Sequence, residues 1–175
     1  IAGIYLSLQV GITHDEFIEF TTWENNKKIY QNYILGTNNS INFLENGAGY
    51  YGFGFHIIST PIELLVNLIL KDYQISEYGK NLIIKHPSVF LFFVISGIYF
   101  KKILFIITKN NFYSKICAIL FLLYPYLLGH SFFNIKDVPF MSVWLICSYY
   151  ILNFCEYFYK EKKVSSKKVI ILSIL

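Results

Sequence analysis

Three short clusters hold most of the side chains able to move protons or bind polar groups. The first, His14-Asp15-Glu16, directly follows an apolar run that opens the chain, IAGIYLSLQV. The second surrounds His56 in GYYGFGFH, where Gly49, Gly52 and Gly54 keep the backbone open beside aromatic rings. The third, GHSFFNIKDVPF at 129–140, sets His130, Asn134, Lys136 and Asp137 between two apolar runs. Carboxylates and imidazoles are common general acids and bases, and charges at a membrane boundary are costly unless paired, hydrated or used. Each cluster also admits a plainer role. Asp15 and Glu16 suit the solvated start of a loop, Asp137 beside Lys136 suits a helix cap, and His56 suits a structural hydrogen bond. As a metal motif the set is weak, because ligand-type residues are present without a spacing such as H-x-x-x-H.

The rest of the chain must position these clusters, and its composition says in what medium. Soluble domains carry about 25% charged residues; here 15% are charged, 55% are apolar and 19% aromatic, with mean hydropathy +0.47. That balance cannot clothe a soluble globule of this size, so the chain reads as an integral membrane protein. All fifteen basic residues are Lys, and the net charge is +4. The lysines lie between apolar runs rather than in a groove with aromatics, so no nucleic-acid partner is expected. Cys117, Cys147 and Cys155 lie in apolar segments, spaced for neither a zinc site nor a disulfide framework. The chain opens and closes inside apolar runs, which reads as the N-terminal module of a longer polytopic protein. Residues 1–10 lack the basic stretch and cleavage site of a signal peptide.

A spanning helix needs about 20 mostly apolar residues. Spans are expected at 86–107, 116–133 and 138–158, with the end of one at 1–12 and the start of another at 169–175. The expected fold is all-α: a polytopic transmembrane helix bundle with an extracytoplasmic loop, 13–85, carrying juxtamembrane helices. Pro139 suits the first turn of a helix. Residues 50–70 are long enough to cross but carry His56, Thr60, Glu63 and Asn67, whose steps of four, three and four put them on one helical face. Such a stripe suits a helix at the membrane surface or one lining a cavity. If 50–70 does not cross, Lys109, Lys115, Lys160, Lys162, Lys163, Lys167 and Lys168 share one side, the cytoplasm by the positive-inside rule. Nine of the eleven acids then lie outside. Lysine placement also tolerates a crossing 50–70; the stripe favours the other version, which brings the acidic clusters to one face.

In their order these motifs resemble the membrane glycosyltransferases of GT-C type, the group containing protein O-mannosyltransferases and the aminoarabinose transferases of lipid A. In that group an acidic pair follows the first span, juxtamembrane helices come next, and a later outer loop carries an Asp before a Pro and an apolar span. Asp15-Glu16 matches the pair, YYGFGFHIISTPIELL takes the place of a juxtamembrane helix, and FFNIKDVPF matches the later loop. The resemblance covers essentially the whole chain. It departs where the family has His-Pro-Pro, and where an Arg often precedes the next span this sequence has Lys80, Lys85 and His86.

The resemblance implies transfer of a sugar from a polyprenyl-phosphate carrier to a lipid, glycan or protein acceptor. The site would face the periplasm or outside of a bacterial inner (plasma) membrane, among membrane lipids. Asp15 would act as general base, Glu16 would position it or the acceptor, and Asp137 would complete the site by orienting the donor sugar or the substrate. His14, His56, His130, Asn134, Lys136, Lys85 and His86 become candidates for binding donor or substrate. The resemblance fixes no cofactor; the leaving phosphate needs positive charge or a metal, and a divalent cation (Mg or Mn) held partly by Asp15 would serve it. Two rivals come from other classes. A transporter or channel component would line a polar pathway with Asp15, Glu16, His56, Glu63 and Asp137. A non-enzymatic scaffold would be indifferent to changes at Asp15 or Asp137.

Overall fold

The computed structural model describes residues 1–36, 54–71 and 73–161, and among them the regular structure is all helical. The expected span at 169–175, Gly49 and Gly52, and the lysines beyond 161 lie outside the described residues. The chain forms two compact units whose boundary falls between Ser88 and Val89, inside the fourth helix.

The first unit holds α1 (Ala2–Ser7), α2 (His14–Leu35), α3 (Gly54–Ile69) and the opening turns of α4 (Glu77–Thr108). Helix α2 starts where Thr13 and Glu16 exchange hydrogen bonds. The Thr13 N–H donates to Glu16 Oε2 at 2.6 Å, and the Glu16 N–H donates to Thr13 Oγ1 at 3.3 Å. This capping box satisfies two N–H groups that otherwise lack partners at a helix start. Asp15 and Glu16 in the first turn also suit the positive end of the helix dipole. The helix stops at Gly36, whose φ of 67° is the left-handed geometry glycine adopts without strain.

Polarity in this unit runs inside out. Among the described side chains of α2, Glu16, Glu19, Trp23 and Asn26 are buried, spaced three, four and three, whereas Phe17, Ile18, Ile34 and Leu35 are exposed. In α3, Phe55, His56 and Ser59 are buried and Thr60, Glu63 and Asn67 half-buried, while Ile57, Ile58, Ile62, Leu64, Leu65, Leu68 and Ile69 point outward. The stripe legible in the sequence is therefore the inner face of α3. Pro61 lies within this helix, and the hydroxyls of Ser59 and Thr60 just before it donate to the His56 carbonyl at 3.0 and 2.8 Å.

The second unit holds the rest of α4, with α5 (Asn111–Leu123), α6 (Pro125–His130) and α7 (Asp137–Glu161). Helix α4 ends at Lys109, with φ 52°, and Asn110 immediately caps α5 by accepting from the N–H groups of Phe112 and Tyr113. Buried serines serve the packing. Ser96, Ser114 and Ser142 each donate to a carbonyl three or four residues back on the chain, which satisfies the hydroxyl within a small side chain. Gly97 lies so close to α5 that a Cβ there would meet Leu122 Cδ2 at 2.6 Å, and Phe93 and Phe100 pack on Phe121 beside it.

Two helices, Tyr78–Thr108 and Asp137–Tyr159, are long and apolar enough to cross a membrane. The expected span at 138–158 corresponds to α7, with Pro139 in its first turn as predicted. The expected span at 86–107 begins earlier, at Glu77. The single span expected at 116–133 is replaced by two helices, because Tyr124 before Pro125 is held extended at ψ 117°. At about 1.5 Å per residue, neither α5 nor α6 reaches the roughly 30 Å of a hydrocarbon core. In the stretch expected at 1–12 only Ala2–Ser7 is helical, and the expected outer loop, 13–85, contains α2 and α3.

Candidate functional site

The first unit gathers ionisable side chains from three helices, α2, α3 and α4, and a backbone carbonyl from α1. His86 on α4 is 1% exposed and reaches back across the sequence to α1 and α2. Its Nδ1 lies 2.9 Å from the Ser7 carbonyl oxygen and its Nε2 lies 2.5 Å from Glu16 Oε1. A carbonyl only accepts, so Nδ1 carries a proton and donates. The short contact at Nε2 then holds one shared proton, either on the imidazole facing a carboxylate or on the carboxyl facing a neutral ring. Glu16 thus spends one oxygen on the α2 cap and the other on His86.

Next to this pair, Lys85 contacts Nδ1 of His56, and the His56 ring stacks on Trp23 with centroids 5.2 Å apart. An ammonium group has only donors, so His56 accepts through Nδ1 and keeps its proton on Nε2. Burial, reinforced by the Lys85 charge, pushes the His56 pKa down to about 3, so the ring is neutral at physiological pH. The carboxylates of Glu63 and Glu24 act on the Lys85 charge from outside the pair.

His14 and Asp15 are exposed at the start of α2. Among the described residues Asp15 has no hydrogen-bond or ion-pair partner. The adjacent acids therefore differ sharply: Glu16 is locked, and Asp15 is open.

In the second unit Asn134 organises the turn between α6 and α7. Its Oδ1 accepts from the N–H groups of Lys136 and Asp137 at 3.2 and 2.8 Å. Its Nδ2 donates to Asp137 Oδ2 at 3.0 Å and to His130 Nδ1 at 3.1 Å. The amide is fully used, and it fixes both the start of α7 and the Asp137 carboxylate. His130 is held between the rings of Tyr126 and Phe133, while Lys136 and Asp137 are exposed.

The candidate residues thus fall into a Glu16–His86 pair, a His56–Lys85 pair and a His130–Asn134–Asp137 group, the first two in one unit and the third in the other. Trp23 and Ser7 hold His56 and His86 but were not anticipated from the sequence. The Thr13-x-x-Glu16 spacing was the local signal for the role of Glu16. No protein family, curated protein or solved structure matches the chain. Among the described residues no three His, Cys, Asp or Glu side chains converge as metal ligands.

Proposed function

We propose that the chain is part of a polytopic membrane glycosyltransferase of GT-C type, a multi-pass protein of the bacterial inner membrane with its site on the outer face. It would transfer a sugar from a polyprenyl-phosphate carrier to a hydroxyl of a lipid, glycan or protein acceptor. The observation that carries the reading is the division of labour at the start of α2: Glu16 is engaged on both oxygens, and the neighbouring Asp15 is exposed and unpartnered. The length of α3 fits a helix at the membrane surface, since 16 residues extend only about 24 Å.

Asp15 is the general base of this reading. The acceptor hydroxyl gives its proton to the Asp15 carboxylate as its oxygen bonds to the anomeric carbon. The bond from that carbon to the phosphate oxygen breaks, and the polyprenyl phosphate leaves. Lys85 supplies fixed positive charge for the leaving phosphate, and neutral His56 keeps it oriented. Asp137, with Lys136, His130 and Asn134, enters from the resemblance alone.

A positioned base contributes roughly 10²–10⁴-fold. In the full chain in lipid nanodiscs, supplied with a polyprenyl-phosphate sugar, Asp15→Asn should lower sugar transfer by that factor; a wild-type rate would remove Asp15 as base. Asp137→Asn is measured separately as the test of the second acid.

A transporter reading gains from one observation, the burial of Glu16, Glu19, His56, Lys85 and His86 in a single unit. It predicts proton or ion flux across proteoliposomes that stops with Glu16→Gln and is indifferent to Asp15→Asn.

A further inference from the structure

At the C-terminal ends of α4 and α7 the second unit contains a cavity of about 590 Å³, within the usual size of small-ligand sites. Its walls are apolar at Phe105 and Ile106, and its polar groups include Lys101, Lys102, Lys109 and Glu156. Lys102 is held by the faces of two rings, 4.5 Å from the Tyr99 centroid and 5.2 Å from that of Tyr149. Lys109 pairs with Glu156 at 2.7 Å. Lys101, half-buried, has no carboxylate partner among the described residues. Among the described residues that line it, three ammonium groups thus face one carboxylate, leaving an excess of two positive charges around an open space.

The position of the cavity narrows what would fill it. Asp137 and Glu156 stand at opposite ends of α7, 19 residues and therefore about 28 Å apart, close to the thickness of a hydrocarbon core. The cavity lies at the end away from the Asn134 turn, and its apolar wall sits beside its lysines. A soluble anion uses only the lysines, whereas a phosphate attached to acyl chains uses both surfaces.

We propose that this cavity binds a phosphate ester, in the form of the headgroup of an anionic membrane lipid, at the end of α7 away from the Asn134 turn. Lys101 and Lys102 take the phosphate, Tyr149 and Asn153 border the glycerol region, and Phe105 and Ile106 meet the first methylenes of the chains. Glu156 competes with the anion for Lys109. The site is separate from the Asp15 chemistry and stands whether or not that reading holds. It requires only that the unit be in contact with a bilayer.

The test uses the full chain in detergent, titrated with phosphatidylglycerol or with phosphatidylcholine, and bound lipid counted by native mass spectrometry. Phosphatidylglycerol should bind preferentially. Each Lys→Gln change at 101, 102 and 109 should weaken it about fivefold, and Glu156→Gln should strengthen it by freeing Lys109. Glycerol 3-phosphate and inorganic phosphate form the second arm. Displacement of the lipid by either at concentrations comparable to the lipid's own would assign the cavity to a soluble phosphate and overturn the lipid assignment. Equal binding of the two lipids, or a preference unchanged in the triple lysine variant, would overturn the site altogether. Glu156→Gln guards against misfolding as an explanation, because it must change binding in the opposite direction.

Discussion

Substituting the two adjacent acids at the start of α2 separates a structural carboxylate from an open one. Glu16→Ala removes the acceptor for the Thr13 N–H and the partner of a buried imidazole. Loss of the cap costs about 1 kcal/mol. Loss of the His86 partner costs about 1–3 kcal/mol if the ring is neutral and about 3–5 kcal/mol if it is a cation left unpaired. The variant should therefore lose about 2–4 kcal/mol in the first case and about 4–6 in the second. Glu16→Gln decides between them. Its oxygen can serve Thr13 while its NH₂ donates to a neutral Nε2, which limits the cost to about 1 kcal/mol; facing an imidazolium its single oxygen can serve only one of the two N–H donors and no longer neutralises the buried charge, and the cost returns to about 3–5 kcal/mol. Asp15→Ala, at an exposed position, should change stability by no more than about 0.5 kcal/mol. Reversible unfolding in detergent micelles, followed by circular dichroism across the three variants, measures all of this. If Glu16→Ala costs no more than Asp15→Ala, the account of Glu16 as the shared anchor of α1, α2 and α4 is wrong.

The neutral His56 gives a pH signature. Its folded pKa of about 3 lies below the usual 6.5, so the unfolded chain binds the extra proton between those values. The stability contribution is complete above pH 6.5 and is lost as the pH falls towards 3, at up to about 1.4 kcal/mol per unit. Unfolding measured between pH 7 and 5 should show this slope in the wild type and a shallower one in His56→Gln; identical slopes would contradict a buried neutral imidazole. In the second unit, Gly97→Val forces side-chain atoms into Leu122 and should cost about 1–3 kcal/mol by overpacking, with Leu122→Ala restoring part of the loss. A thermal unfolding midpoint unchanged in Gly97→Val would mean that α4 and α5 do not meet there.

What the sequence disclosed follows the range of the interactions involved. Helix α7 was readable because its hydropathy and Pro139 are local signals, and the inner face of α3 was readable from a spacing of four, three and four. The break between α5 and α6 was also local, since an extended residue before Pro125 is a backbone preference, but continuous hydropathy across 116–133 outweighed it. Glu16 was read as half of an acidic pair, although Thr13 three residues earlier marks a capping box and Glu19, Trp23 and Asn26 share its face. Its partner was beyond reach. His86 is 70 residues away and Lys85 is 29 residues from His56, and periodicity carries no information on such pairings. The expectation of a common face for Asp15, Glu16 and Asp137 likewise depends on distant parts of the chain, the first two lying in one unit and the third in the other.

The inverted polarity of the first unit can be weighed against its surroundings. Seven large aliphatic residues of α3, from Ile57 to Ile69, are 42–76% exposed. Full burial of each is worth roughly 1.5–3 kcal/mol, so leaving them uncovered to this extent in water forgoes on the order of 5–10 kcal/mol. That is comparable with the entire stability of a typical domain, about 5–15 kcal/mol. Burying Glu16, His86, His56 and Lys85 adds desolvation cost in the same direction. An apolar surrounding reverses both accounts: the aliphatic side chains lose nothing by facing outward, and the polar ones have only each other to bond. The pairing of Glu16 with His86 and of His56 with Lys85 is then what such a medium demands of a chain that retains ionisable groups. Asp15 escapes that demand by standing at a helix start, where water and the positive end of α2 can hold its charge. A carboxylate in that position keeps its exposure because no other side chain of the described residues engages it.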